Sequence, residues 1–82
     1  MFGLLNLKGL IEMYYIVFHY SNQSTETYSG GFYIFQGEKY ACFNNRSPKL
    51  YKSKKVAKNA AKNLINNCAN TSCNFEVLEM KG

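Results

Sequence analysis

The sequence predicts an α+β fold of a short N-terminal helix, a three-stranded antiparallel sheet, a packed helix and an optional extra strand at the C-terminus. Aromatic and β-branched runs separated by turn residues indicate the strands, and an apolar stripe at helical spacing indicates the packed helix. The length of 82 residues suits one domain. We assign residues 1–82 to it, with a core at about 2–66 and a C-terminal extension at 67–82.

The first half of the chain carries the strand signals. Residues 13–20 are mostly aromatic and β-branched, which is typical of a strand covered on both faces. Residues 21–31 are polar and end in two glycines, so they are predicted to form a loop. Residues 32–35 and 40–43 are predicted to form a hairpin whose turn lies at Gly37 and Glu38.

Shorter signals flank these strands. Residues 2–12 place apolar residues at helical spacing, and we interpret them as a short helix. Residues 44–51 hold the single proline and are predicted to be a loop. Phe75 and Val77 indicate the extra strand, which lies in the C-terminal extension and is available for forming a homodimer.

The clearest element is a helix that begins after Ser53. The hydroxyl of Ser53 can accept a hydrogen bond from an amide of the first turn, so this residue is a good N-cap. An apolar stripe follows and ends near Asn66 and Asn67, and one such stripe is what a helix needs to pack on a sheet. Its members are Val56, Ala57, Ala60, Ala61, Leu64, Ile65 and Cys68.

Positive charge is concentrated in the second half of the chain. The net charge is +5, yet the interval between Glu38 and Glu76 contains eight basic residues and no acidic one. A polarised basic surface favours a polyanionic partner. The alternative explanation is a solvated, lysine-rich helix face that serves solubility only. The basic residues of this interval are Lys39, Arg46, Lys49, Lys52, Lys54, Lys55, Lys58 and Lys62.

The lysines of the predicted helix stand at its unfavourable end. Lys54, Lys58 and Lys62 recur at i, i+4 and i+8 and form a ridge. A cation near a helix N-terminus costs about 0.3–1 kcal/mol at low salt, because the backbone dipole is positive there. Like charges at i, i+4 add a further repulsion. A bound phosphate would reverse the sign of both effects, so the arrangement predicts nucleic-acid binding.

The segment from Ser53 to Leu64 reads Ser-Lys-Lys-Val-Ala-Lys-Asn-Ala-Ala-Lys-Asn-Leu. It resembles the second-helix signature of double-stranded RNA-binding domains, which is Ser-Lys-Lys-x-Ala-Lys followed by an Ala-Ala pair and a leucine. The order of the predicted elements is also similar to that family. The matching positions are Lys54, Lys55, Lys58, Ala60, Ala61 and Leu64.

The resemblance implies a way of binding duplex RNA. The helix N-terminus would lie over a major groove, with its lysines on the phosphates, while the first helix and the loop at residues 22–31 would contact the flanking minor grooves. Such domains read 2′-hydroxyls and A-form shape rather than sequence. The candidate nucleic-acid-binding residues are Lys52, Ser53, Lys54, Lys55, Lys58 and Lys62.

Other kinds of site find little support in the sequence. His19 and the cysteines Cys42, Cys68 and Cys73 lack the spacing of a zinc site, and the cysteines are better interpreted as small apolar core residues. The chain has no Asp, no phosphate-binding glycine loop and no nucleophile–base motif. We therefore expect no metal, no cofactor, no catalytic residue and no enzymatic activity.

The sequence thus predicts a nucleic-acid-binding protein whose most favoured ligand is double-stranded RNA. A small protein of this kind could sequester RNA, as some viral members of the family do. The alternative is a protein-interaction module, for example a viral or phage inhibitor whose basic face blocks a nucleic-acid groove of its target. The sequence shows neither a signal peptide nor a membrane span, so we expect a cytoplasmic protein without membrane contact.

Overall fold

The computed structural model describes residues 13–80 of the chain. This part forms a small α+β fold in which one helix packs on one face of a four-stranded antiparallel sheet. The strand order in the sheet is β3-β2-β1-β4. The elements are β1 (Met13–His19), β2 (Thr25–Phe35), β3 (Glu38–Phe43), α1 (Lys54–Asn67) and β4 (Phe75–Met80).

The predicted three-stranded sheet with an optional extra strand is wrong, because β4 is a full member of the sheet. It pairs with β1 over six positions, from Met13 opposite Met80 to Phe18 opposite Phe75. Phe18 in β1 is fully buried, so the backbone groups on both edges of this strand need partners. The sheet therefore differs from the arrangement that the resemblance implied. The helix predicted at residues 2–12 lies outside the described residues.

The predicted loop at residues 21–31 is also wrong for most of its length. Only residues 20–24 form a turn, and β2 already begins at Thr25. Thr25 and Thr27 pair with β1, and Thr27 and Tyr28 are buried. Thr25 and Thr27 are polar but β-branched, and they adopt a strand conformation because they pair with the apolar strand β1.

A bulge in β2 separates the sheet into two regions. The register between β2 and β3 shifts between Tyr28 and Phe32. Gly30 lies within the bulge and has a φ of 101°, a backbone conformation that residues with a side chain adopt only with strain. Beyond the bulge β2 no longer pairs with β1. The backbone of Tyr51 takes its place and forms two hydrogen bonds of 2.8 Å with Tyr14.

The part of the hairpin beyond the bulge is a two-stranded ribbon, which we define as residues 32–41. Its turn lies at Gln36 and Gly37, which both have positive φ, so the predicted hairpin is confirmed with its turn one residue earlier than expected. The side chain of Asn70 pairs with the backbone of Ala41 through two hydrogen bonds of 2.9 Å. The outer edge of β3 is thus occupied at this point.

The core lies between the helix and β1. Ile16 and Phe18 of β1 are fully buried, and so are Ala57 and Ala61 of α1, whose small side chains allow the helix to approach the sheet closely. Phe75 packs against Phe18, with the ring centroids 6.2 Å apart. The predicted apolar stripe is confirmed for its buried members, which are Ala57, Ala61, Leu64 and Cys68. Val56 is 54% exposed and does not belong to the stripe.

Ending the chain at Ser72 should abolish folding, because the truncation removes all six strand pairs with β1 and uncovers Phe18. Small domains have a free energy of unfolding of about 5 kcal/mol at the low end, and loss of a whole strand removes an amount of that order. Circular dichroism and urea unfolding measure the effect. A chain ending at Met80 is the matched control and should unfold cooperatively. A cooperative transition in the shorter chain would show that β4 is dispensable.

Candidate functional site

The N-terminus of α1 is held by a cap and by the strand that precedes it. Ser53 has extended backbone angles, and its hydroxyl oxygen accepts a hydrogen bond of 3.1 Å from the amide of Val56. Its carbonyl oxygen accepts the amide of Ala57 at 3.1 Å. Two residues earlier, Tyr51 is bonded to Tyr14 of β1. The predicted cap at Ser53 is confirmed, and the helix start is fixed to the sheet.

Every lysine predicted for the site has an exposed side chain. Successive members of the ridge at Lys54, Lys58 and Lys62 are about 6 Å apart along the helix axis, from a rise of about 1.5 Å per residue. The first turn of α1 contains no acidic residue. Within residues 13–80 the ion pair that the structure describes joins His19 to Glu76, so it involves no lysine. The exposed lysines of this surface are Lys52, Lys54, Lys55, Lys58 and Lys62.

The C-terminus of the helix lacks the cations that are gathered at its N-terminus. Its last turn contains no basic residue, although a cation would be favourable there. The carbonyl of Leu64 accepts the amide of Cys68 at 2.8 Å, and the hydroxyl of Thr71 lies 3.1 Å from the carbonyl oxygen of Cys68. Polar groups of the chain therefore satisfy this end, and the lysines stand where the backbone dipole opposes them.

The loop before the helix extends the basic surface toward the sheet. Arg46 and Lys49 are exposed, and the ammonium nitrogen of Lys49 lies 5.9 Å from the ring centroid of Tyr51. The backbone amide of Lys49 donates a 2.9 Å hydrogen bond to the carbonyl of Tyr28. This basic loop is therefore attached to both β2 and the segment that leads into α1.

The proposed minor-groove loop at residues 22–31 does not exist as a loop, because most of it belongs to β2. What remains is the turn between β1 and β2. There the side-chain oxygen of Asn22 accepts the amide of Ser24 at 3.0 Å and its hydroxyl at 2.6 Å. Asn22 therefore stabilises the turn itself. Of the predicted interface that falls within residues 13–80, the structure brings together the residues at the start of α1.

Titratable groups elsewhere are dispersed. The imidazole Nε2 of His19 and a carboxylate oxygen of Glu76 are 2.8 Å apart on two neighbouring strands, a pairing that the sequence could not reveal. Cys42, Cys68 and Cys73 are all free thiols, and burial raises the pKa of Cys68. Among residues 13–80 no group of three acidic, histidine or cysteine side chains is placed to hold a metal ion.

The sequence interpretation missed the apolar surface of the ribbon. Phe32, Tyr33, Ile34 and Phe35 are between 49% and 67% exposed, whereas the sequence analysis predicted residues 32–35 only as one strand of a hairpin. The signal in the sequence is a run of four apolar residues without the alternation of a half-buried strand. Such a run in a ribbon that leaves the sheet has no second layer to cover it.

No protein-family model, curated protein or solved structure matches the chain. The function is therefore inferred from the geometry of the site and from the helix segment. In the described part of the chain, no helix combines the length and apolar character required to cross a membrane.

Reversing one charge at the helix start should stabilise the protein. Lys55→Glu replaces a cation that opposes the dipole with an anion that complements it, and we expect the free energy of unfolding to rise by about 0.5–2 kcal/mol at low salt. Lys55→Gln removes the cation only and should give about half of that gain. Urea unfolding at low and high salt measures both, and salt should diminish the difference. Loss of stability in Lys55→Glu would mean that the lysine is compensated within the protein.

Alkaline pH should test the burial of the Tyr51 side chain. Burial, and to a lesser extent the nearby Tyr28, raises the pKa of Tyr51 from 10.0 to about 12, so the folded protein favours the neutral phenol. This contribution to stability is complete below pH 10 and is lost as the pH rises to about 12. Tyr51→Phe should make the free energy of unfolding fall less steeply over this range. An unchanged slope in the Tyr51→Phe variant would contradict the prediction.

Proposed function

We propose that the chain binds double-stranded RNA through contacts between phosphates and the lysines at the N-terminus of α1, and that it does so without catalysing a reaction. The observation that carries this proposal is the cluster of exposed lysines around a capped helix start whose first turn has no acidic residue. Within the described residues these lysines form no ion pair with a carboxylate. Their charge is thus available to a ligand.

A phosphate at this position would be favoured by three terms of the same sign. The amides of Lys54 and Lys55 precede the first intrahelical hydrogen bond and can donate to an anion. The helix dipole is positive at this end. The ammonium groups add Coulomb attraction and release the counterions that surround a duplex. The arrangement that is unfavourable in the free protein becomes favourable in the complex.

The preference for RNA rests on the resemblance of residues 53–64 and not on the overall fold. The four-stranded sheet and the short turn at residues 20–24 differ from the arrangement that the family would imply. The helix segment itself has the phosphate-facing lysines of the signature in a regular, capped helix. RNA bound in this way would be withheld from processing or sensing enzymes, and the proposed setting for that role is the cytoplasm.

Titration with nucleic acids tests the proposal directly. We expect the full chain to bind a duplex RNA of about 20 base pairs more tightly than duplex DNA or single strands, with affinity falling steeply as salt rises. Simultaneous replacement of Lys54, Lys55 and Lys58 by Ala should reduce the dependence of log K on log salt by about three units, because each lost phosphate contact contributes about one. Fluorescence anisotropy over a salt series measures both quantities.

A charge-matched variant separates a site from general attraction. Replacing Lys39, Arg46 and Lys49 by Ala removes the same charge but leaves the helix start intact, and it should weaken binding less. Equal weakening by both triple variants would indicate non-specific attraction between a basic protein and a polyanion. Absence of binding to every nucleic acid by the folded wild-type chain would refute the proposal and support a protein-interaction module instead.

A further inference from the structure

The ribbon presents apolar side chains on both of its faces. Phe32 and Lys39 lie on the face toward α1 and line a cleft of about 180 Å³ next to the helix. Tyr33 and Tyr40 lie on the opposite face with their rings stacked, 5.3 Å between centroids and 14° between planes. No residue of the described chain covers this second face well enough to bury Tyr33, which is 50% exposed.

The outer edge of β2 in the ribbon has unpaired backbone groups. The carbonyl of Lys39 accepts the amide of Ala69, so the backbone of Lys39 points away from β2. Paired residues alternate between bonded and non-bonded positions in an antiparallel ladder, so Ile34 opposite Lys39 points its amide and carbonyl away from β3. Phe32, two residues before it, does the same. Within residues 13–80 neither residue has a hydrogen bond on this outer edge.

Among residues 13–80, this edge has none of the features that usually protect a free strand. Charged side chains, prolines and covering segments normally prevent another strand from pairing at an edge. The outer strand β4 carries Glu76 and Glu79, and β3 is covered by residues 69 and 70. Residues 32–35 of β2 include no charged residue and no proline. Among these edges, β2 in the ribbon is therefore the one suited to accept a strand.

We propose that this edge pairs with the same edge of a second copy of the chain, antiparallel and centred on Tyr33. In this register Phe32 of each copy lies opposite Ile34 of the other, and their outward backbone groups form four hydrogen bonds about a twofold axis. The two Tyr33 side chains meet at the axis. The stacked pair of Tyr33 and Tyr40 in each copy then joins into a row of four tyrosine rings across the new sheet.

A second copy is the partner that this edge fits, because the apolar pattern is complementary to itself. The seam places no like charges opposite each other, although each copy carries a net charge of +5. Each of the four apolar side chains leaves on the order of 100 Å² exposed, so the two copies together can bury at most about 800 Å² of side-chain surface. Stable dimers bury at least about 1,200 Å², so the expected dimer dissociates on dilution.

Sedimentation equilibrium of the full chain tests the dimer. The average mass should rise from 9.4 kDa toward twice that value as the concentration is raised from about 10 µM to about 1 mM, the range of weak interfaces. Ile34→Lys introduces a charge at the seam and should keep the mass at that of a monomer. Leu50→Lys makes the same kind of change at an exposed residue outside the ribbon and should still dimerise. A constant monomer mass for the wild type would overturn the proposal.

Disulfide trapping tests the register. Tyr33→Cys, made together with Cys73→Ser to remove the exposed native thiol, places two cysteines about 4.5 Å apart between Cα atoms at the axis, within disulfide range. Phe35→Cys in the same background places them about 13 Å apart, which is too far. With oxidised glutathione, Tyr33→Cys should form covalent dimer at least tenfold faster. Equal rates, or no dimer from a folded Tyr33→Cys variant, would overturn the register.

Discussion

The structure depends on how the two edges of β1 are paired. One edge pairs with β4 along its length, whereas the other pairs first with β2 and then with the backbone of Tyr51. This change of partner follows from the bulge at Gly30, where β2 turns away from β1. A single local deviation therefore has two consequences. It frees the ribbon from the sheet, and it makes room for the segment that fixes the start of α1.

Small buried side chains on α1 fix how the helix faces the sheet. Ala57 and Ala61 are fully buried against a sheet whose largest buried side chains are Phe18 and Ile16. Small residues on the helix allow close packing, but they bury little area each, so much of the apolar burial comes from the aromatic residues of the sheet. Rotating α1 would expose these alanines and bring exposed lysines toward the core. The lysines thus have a defined direction, away from the sheet.

The sequence predicted the elements whose signals are local. The N-cap at Ser53, the helix, β1 and the ribbon hairpin could all be recognised from spacing and residue type. The strand role of residues 25–31 and the pairing of β4 could not, because each depends on a partner distant in the sequence. Thr25 and Thr27 appear as loop residues until β1 lies beside them, and Glu76 makes β4 look peripheral until its pairing with Val17 is known. The exposed lysines could be predicted from charge and spacing, whereas the apolar run at residues 32–35 indicated a strand but not that this strand leaves the sheet.

Two surfaces of this small protein break local rules in different ways. The helix start concentrates cations where the backbone dipole repels them, and within the described residues the ribbon leaves an apolar strand edge without protection. Substitutions at these exposed side chains would remove either feature without disturbing the core. A chain with a thin core has little stability to lose, so unfavourable features of this kind are expected where binding offsets their cost. The two features involve different interactions, one electrostatic and one based on backbone pairing and apolar contact. An RNA duplex can compensate the first but not the second, and a second copy of the chain can compensate the second but not the first. If both proposals hold, this small protein has two separate binding surfaces, each suited to a different kind of partner.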